Sequence, residues 1–295
     1  MRRRALILGG AGAALVAGCA APETLRRESN FRGDYRGLSH ADEIVFLIPG
    51  ALASTYMFGP AFTWKSRRRV VMEYRFPGYD GLAHDRAVHI QGDAAKIAAL
   101  ANRFPRARVR VLGFSTGGAI AIEAAARMDH ADVQVAAIGC AVPFPGMLGV
   151  GPRGFAGLVR AAGVTGLSDI KAIWLEYFKT LLYGRNWADD PWTRARANAF
   201  VRALEDQIAV PSDGVGRSHS ANLLIWSLSD DARASRARVR FYHGVNDTIV
   251  PLRLVRRLAT LVGGEVTAFS PDAHLLLLTR PEVITRAGRD MGINR

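Results

Sequence analysis

The sequence is poor in cysteine and lysine, and beyond its N-terminus it has no long apolar run. It holds two cysteines, Cys19 and Cys140, in 295 residues. So low a count argues against a disulfide framework, the more so because Cys19 has another use, given below. Four of the 39 basic residues are lysine (Lys65, Lys96, Lys171 and Lys179), so 35 are arginine. Past the N-terminus no stretch reaches the ~18 apolar residues of a membrane-spanning helix, so the body of the chain is expected to be soluble. Disorder is excluded by ordinary globular composition, 49% apolar and 22% charged. The length suits one large α/β domain or two small ones.

Acidic charge is also short, and the formal net charge is +13. A nucleic-acid binder is one reading of such a charge. The arginines, however, are spread along the whole chain, and the one dense internal cluster is Lys65-Ser66-Arg67-Arg68-Arg69. Spread arginines read as a solvated surface, and attraction to anionic lipid is a lesser alternative. No nucleic-acid partner is expected.

The N-terminus reads as an address. Met1-Arg2-Arg3-Arg4 is followed by thirteen apolar and small residues from Ala5 to Ala17. That is the form of a secretory signal and is short for a bilayer span. Val16-Ala17-Gly18-Cys19 follows, and it resembles a bacterial lipobox. The resemblance implies cleavage before Cys19 and lipidation of that residue; several acyl chains give stable anchoring at ~0.8 kcal/mol per buried CH₂. The alternative is an ordinary signal peptide with a chance cysteine. Ala20 in place of aspartate resembles the pattern sent to the outer membrane of Gram-negative bacteria, on its periplasmic side. Arg3-Arg4-Ala5-Leu6-Ile7 also resembles a twin-arginine signal, and the export route stays open. Residues 20–40 are polar and without periodicity, and they read as a tether.

Beyond the tether, strands and helices alternate. Glu43-Ile44-Val45-Phe46-Leu47-Ile48 is a continuous apolar run closed by Pro49-Gly50, the pattern of a strand buried on both faces. Further strands are expected at residues 70–74, 109–112, 133–138, 239–242 and 265–269. Helical spacing occupies residues 87–103, 119–128, 252–261 and 283–291. This order predicts an α/β fold with a doubly wound, mostly parallel sheet. Residues 141–235 break the alternation. They hold Trp174, Trp187, Trp192 and Trp226 and an amphipathic stretch from Ile170 to Leu182. They are expected to form a helical cap above the strand ends; the alternative is ordinary core with two more crossovers. The division is then a signal at 1–18, a lipidated N-terminus and tether at 19–40, core at 41–140, cap at 141–235 and core again at 236–295.

Gly113-Phe114-Ser115-Thr116-Gly117-Gly118 fits G-x-S-x-G, with a strand before it and a small-residue helix after it. Such an elbow needs glycines because the turn is strained and packs tightly, and it presents the serine above the sheet. With this context the chain resembles the α/β-hydrolase superfamily over residues 41–295. His243-Gly244-Val245-Asn246-Asp247-Thr248-Ile249-Val250-Pro251 is similar to the family's acid loop, which implies Asp247 as the acid. An Asx turn or a helix cap is the structural alternative. Pro271-Asp272-Ala273-His274 follows the last strand, where the family places its histidine, 27 residues after Asp247. Asp272 is expected to be exposed, and His243 to be structural.

An oxyanion hole needs two preorganised N–H groups. One is assigned to Thr116, directly after the nucleophile, and the other to Ala51, with Leu52 next. Related enzymes often have His-Gly where this chain has Pro49-Gly50. Phe76-Pro77-Gly78-Tyr79-Asp80-Gly81 resembles the loop that lies near the pocket floor or rim. The resemblance implies a serine esterase with Ser115, Asp247 and His274 as its triad, acting on a small-molecule ester without metal or cofactor; the aromatic-rich cap and the lipid anchor suggest an apolar or lipid-like acyl group. The alternatives are a thioesterase or amidase on the same triad, or a non-catalytic envelope protein that kept the fold for binding. The expected membrane contact is the lipid anchor at Cys19; the oligomeric state is not assigned.

Overall fold

The apolar runs condense into one seven-stranded sheet. In the computed structural model its strands are β1 (Phe31–Gly33), β2 (Glu43–Ile48), β3 (Arg69–Tyr74), β4 (Arg108–Phe114), β5 (Val133–Ile138), β6 (Arg238–Gly244) and β7 (Glu265–Phe269). The structure describes residues 30–166, 169–206, 208, 210 and 212–293. The lipobox, Cys19 and residues 20–29 of the expected tether lie outside them.

The sheet order is β1-β3-β2-β4-β5-β6-β7. All neighbours are parallel except β1, which runs antiparallel to β3. Every residue of β2 and β5 is buried, as their unbroken apolar runs require of strands covered on both faces. One face carries α1 (Ile90–Asn102) and α2 (Thr116–Ala125); the other carries the short α9 (Leu276–Thr279) and α10 (Glu282–Asp290). On the first face α8 (Leu252–Leu261) seats Val255, Leu258 and Ala259. The small side chains of α2 let it lie close to the sheet, and all ten of its residues are buried.

Residues 31–40 correct one expectation, because here the chain is already part of the fold. Phe31 meets the rings of Phe46 and Tyr74 edge-on, at centroid distances of 6.2 and 5.2 Å. Arg32 pairs with Glu73 across the strands. The tether reading therefore extends too far, since three residues with one cross-strand ion pair carry no periodicity to read.

Between β5 and β6 the chain runs through α3 (Val150–Thr165), α4 (Ile170–Tyr183), α5 (Pro191–Leu204), α6 (Asp213–Ile225) and the short α7 (Asp230–Ala234). Asp169, Asp190, Ser212 and Ser229 cap α4 to α7 with side-chain oxygens. The last part of this excursion returns to the core. Leu223, Trp226, Leu228 and Ala232 are buried in the same cluster as α1 and α2. Glu123 of α2 is fully buried and accepts from Trp226 Nε1 at 3.0 Å and from Ser229 Oγ at 2.7 Å.

Parallel strands bring their C-terminal ends to one edge. Ile48 pairs with Gly113, Phe114 with Ile138, and Gly244 with Phe269. The loops after β2, β4, β6 and β7 thus share a rim, where open α/β sheets place their ligands.

Candidate active site

Ser115 stands on the turn from β4 into α2 with φ +51° and ψ −116°. A non-glycine residue here is strained by about 1–3 kcal/mol. Neighbouring backbone holds the turn: Ser115 N–H donates to Ile138 O at 2.9 Å, and Ser115 O accepts from Gly118 and Ala141 at 2.9 and 3.0 Å. The glycines around it are required by contact. A Cβ on Gly117 would stand 2.1 Å from Ile48 O, and one on Gly113 would stand 2.3 Å from Gly117 O.

The three side chains singled out in the sequence come together at this rim. His274 Nε2 lies 3.2 Å from Ser115 Oγ, and its Nδ1 lies 2.8 Å from Asp247 Oδ2. All three residues are buried. Asp247 Oδ1 accepts the N–H groups of Ile249 and Val250, each at 2.8 Å. Burial opposes the charge of Asp247, but His274, His243 and the Val250 N–H outweigh it and hold the carboxyl below the usual aspartate range. An ionised Asp247 orders the relay: His274 carries its proton on Nδ1 and turns a free Nε2 lone pair to the serine hydroxyl.

Several groups that fix this relay have no signal in the sequence. Ala273 and Leu275, on either side of His274, donate to Leu182 O at 3.2 Å and Leu181 O at 2.8 Å, the carbonyls near the end of α4. The Phe114 ring packs on the imidazole at 5.3 Å. Asp272 corrects the expectation of exposure: it is 3% exposed, accepting from Thr279 Oγ1 and Arg280 Nε, each at 2.7 Å. It ties the histidine loop to the helical turn after it. His243 is fully buried, bonds Val250 O at 2.8 Å and lies 3.4 Å from Asp247 Oδ2. Burial pushes its pKa down, which favours the neutral ring.

The loop after β2 lies against the serine, since a Cβ on Gly50 would stand 3.0 Å from Ser115 Cβ. Of the two N–H groups considered there, that of Leu52 is already engaged, by His219 Nδ1 at 3.2 Å. This leaves Ala51 beside Thr116. Leu52 also lines a cleft of about 370 Å³ with Leu158, Ile170, Ile173, Trp174 and Val210. Trp174 is the member of the four expected tryptophans on this wall; Trp226 is in the core and Trp192 is exposed. The loop 76–81 buttresses the loop after β2: Asp80 bonds Ser54 Oγ and, at 3.1 Å, Thr55 N–H. Among the described residues no three His, Cys, Asp or Glu side chains cluster as a metal site.

Residues 44–287 match the model of the alpha/beta hydrolase family. The chain belongs to that family. Its fold is similar to that of an esterase from Exiguobacterium antarcticum, at 16% identity and a TM-score of 0.63, over 89% of this chain and 94% of that one. It is also similar to the enol-lactonase of Burkholderia xenovorans LB400, at 18% identity and a TM-score of 0.65, over 90% and 95%. No curated protein matches the sequence.

Proposed function

We propose that this protein is a serine hydrolase that cleaves carboxylic esters through an acyl-enzyme, with Ser115, His274 and Asp247 as its triad. The observation that carries the reading is the unbroken relay from Ser115 Oγ through His274 to an ionised, buried Asp247. In the first step His274 Nε2 takes the hydroxyl proton as Oγ attacks the ester carbonyl. The charge that develops on the carbonyl oxygen meets the N–H groups of Thr116 and Ala51 at the start of α2 and in the loop after β2. His274 then gives its proton to the departing alkoxide. Water, deprotonated by the same nitrogen, attacks the acyl-enzyme and restores Ser115.

The cleft beside Leu52 is lined mainly by apolar side chains, with Ser212 and Arg217 also on its wall, which favours an apolar acyl group, and its volume falls in the ~300–1,000 Å³ range of small-molecule sites. The lipobox supports the further proposal that the enzyme is anchored through Cys19 in a bacterial envelope, on the periplasmic side of the outer membrane. Among the described residues no helix is long and apolar enough to cross a membrane.

The test is a series of p-nitrophenyl esters of increasing acyl length, with acyl thioesters and anilides in parallel, on wild type and Ser115→Ala. Hydrolysis of the oxygen esters that falls by about 10⁴-fold or more in the variant is expected. Equal rates for the two proteins refute the site. A preference for thioesters or anilides moves the reaction to the neighbouring class, and inactivity of both proteins favours a binding role.

A further inference from the structure

The loop after β2 has no histidine of its own, yet a histidine reaches it from a segment far away in sequence. His219, on α6, is fully buried. Its Nδ1 lies 3.2 Å from Leu52 N and its Nε2 lies 2.8 Å from Pro77 O. The two contacts fix the tautomer, because Leu52 N–H can only donate and Pro77 O can only accept. Nδ1 is therefore the bare nitrogen and Nε2 carries the proton. The ring is held by Phe76, edge-on at 5.6 Å, and by Tyr79 at 5.5 Å.

What this histidine grips is a strained residue. Leu52 has φ +59°, in the left-handed region that side chains avoid. Such a conformation persists only where its surroundings over-determine it. The Leu52 N–H belongs to the Ala51–Leu52 peptide, so the bond to His219 fixes a peptide plane that is one Cα away from the Ala51 N–H.

We propose that His219 is a positioning residue of the oxyanion site: by accepting the Leu52 N–H from the insertion, it turns the Ala51 N–H toward the carbonyl held at Ser115. The proposal rests on the serine hydrolase reading. It makes the insertion part of the reaction apparatus as well as a wall of the cleft, because displacement of α6 removes the grip on the loop.

The full chain carrying His219→Asn, His219→Gln or His219→Phe tests this. The Asn amide oxygen can occupy the place of Nδ1 and keep Leu52. The Gln amide reaches the place of Nε2 and keeps only Pro77. Phe keeps the ring packing and neither bond. With a p-nitrophenyl ester, kcat is expected within about threefold of wild type for Asn and about 10–100-fold lower for Gln and Phe, with KM within about threefold throughout. A loss confined to kcat marks an interaction used in the transition state. The proposal is overturned if Gln stays active while Asn falls, if all three keep wild-type kcat, or if KM rises in place of a fall in kcat. Should Phe fail to fold, Asn and Gln decide between themselves. Fluorophosphonate labelling of wild-type Ser115 separates the two levels: without it the hydrolase reading fails, whereas a labelled wild type with indifferent variants sinks only the role of His219.

Discussion

Replacing Asp247 by asparagine keeps its size and removes its charge. Oδ1 is committed to two backbone N–H groups at 2.8 Å, so the amide oxygen must stay on that side. The NH₂ group then faces His274, where a carboxylate oxygen stood 2.8 Å from Nδ1. A donor opposite Nδ1 forces the imidazole proton onto Nε2, and Nε2 can no longer take the proton of Ser115. The wrong tautomer in such a relay lowers kcat by about 10⁴-fold. At 1.36 kcal/mol per decade this is about 5 kcal/mol of transition-state stabilisation. Folding should suffer less, by about 1–3 kcal/mol, because one charge-assisted bond is replaced by a misdirected amide in a buried site. The assay is steady-state hydrolysis of a p-nitrophenyl ester from pH 6 to pH 9, with urea unfolding alongside. A variant that keeps kcat within tenfold of wild type would refute the assignment of Asp247 as the group that orients His274.

Three further outcomes follow from burial and packing. Burial holds the pKa of both His219 and His243 below the ordinary histidine value of 6.5. Between that value and their folded values the unfolded chain binds more protons, so stability is full above about pH 6.5 and is lost as the pH falls below it. The melting temperature should therefore drop from pH 7.5 to pH 5.5, with a shallower drop in His219→Asn; equal slopes for the two proteins count against neutral burial of His219. Gly117→Ala would drive a methyl group to 2.1 Å from Ile48 O, a backbone atom that cannot swing away. It should destabilise by about 3 kcal/mol or more in urea unfolding, whereas Gly163→Ala in α3, where nothing lies within 4 Å of the new methyl, should stabilise by about 0.5–1 kcal/mol. A tolerated Gly117→Ala would mean that the elbow is not packed as described.

The parts of this molecule that were legible in the sequence are those in which one local signal fixes one local structure. The apolar run at 43–48 became β2 with the same ends, and the strand at 265–269 and the helix at 252–261 also kept theirs. Ser115, Asp247 and His274 each follow the end of a strand, which is why three residues far apart in sequence meet at one rim. What escaped depends on pairs distant in sequence. Nothing near Phe31 announces Tyr74 or Glu73, so the sequence of β1 alone reads as tether. Asp272 looked like a loop carboxylate until Thr279 and Arg280 closed on it. His219 on its helix is one histidine among seven, and its partner Leu52 lies 167 residues away. Glu123 holds the end of the insertion onto α2 through partners more than 100 residues away, which no local pattern marks.

Covalent labelling tests the central claim most directly. Purified protein is treated with a fluorophosphonate, and the adduct is located by mass spectrometry of its peptides. One adduct per chain on Ser115, greatly slowed in His274→Ala and absent in Ser115→Ala, is the predicted result. Folded protein that takes up no label, or that takes it up on another residue, would contradict the account.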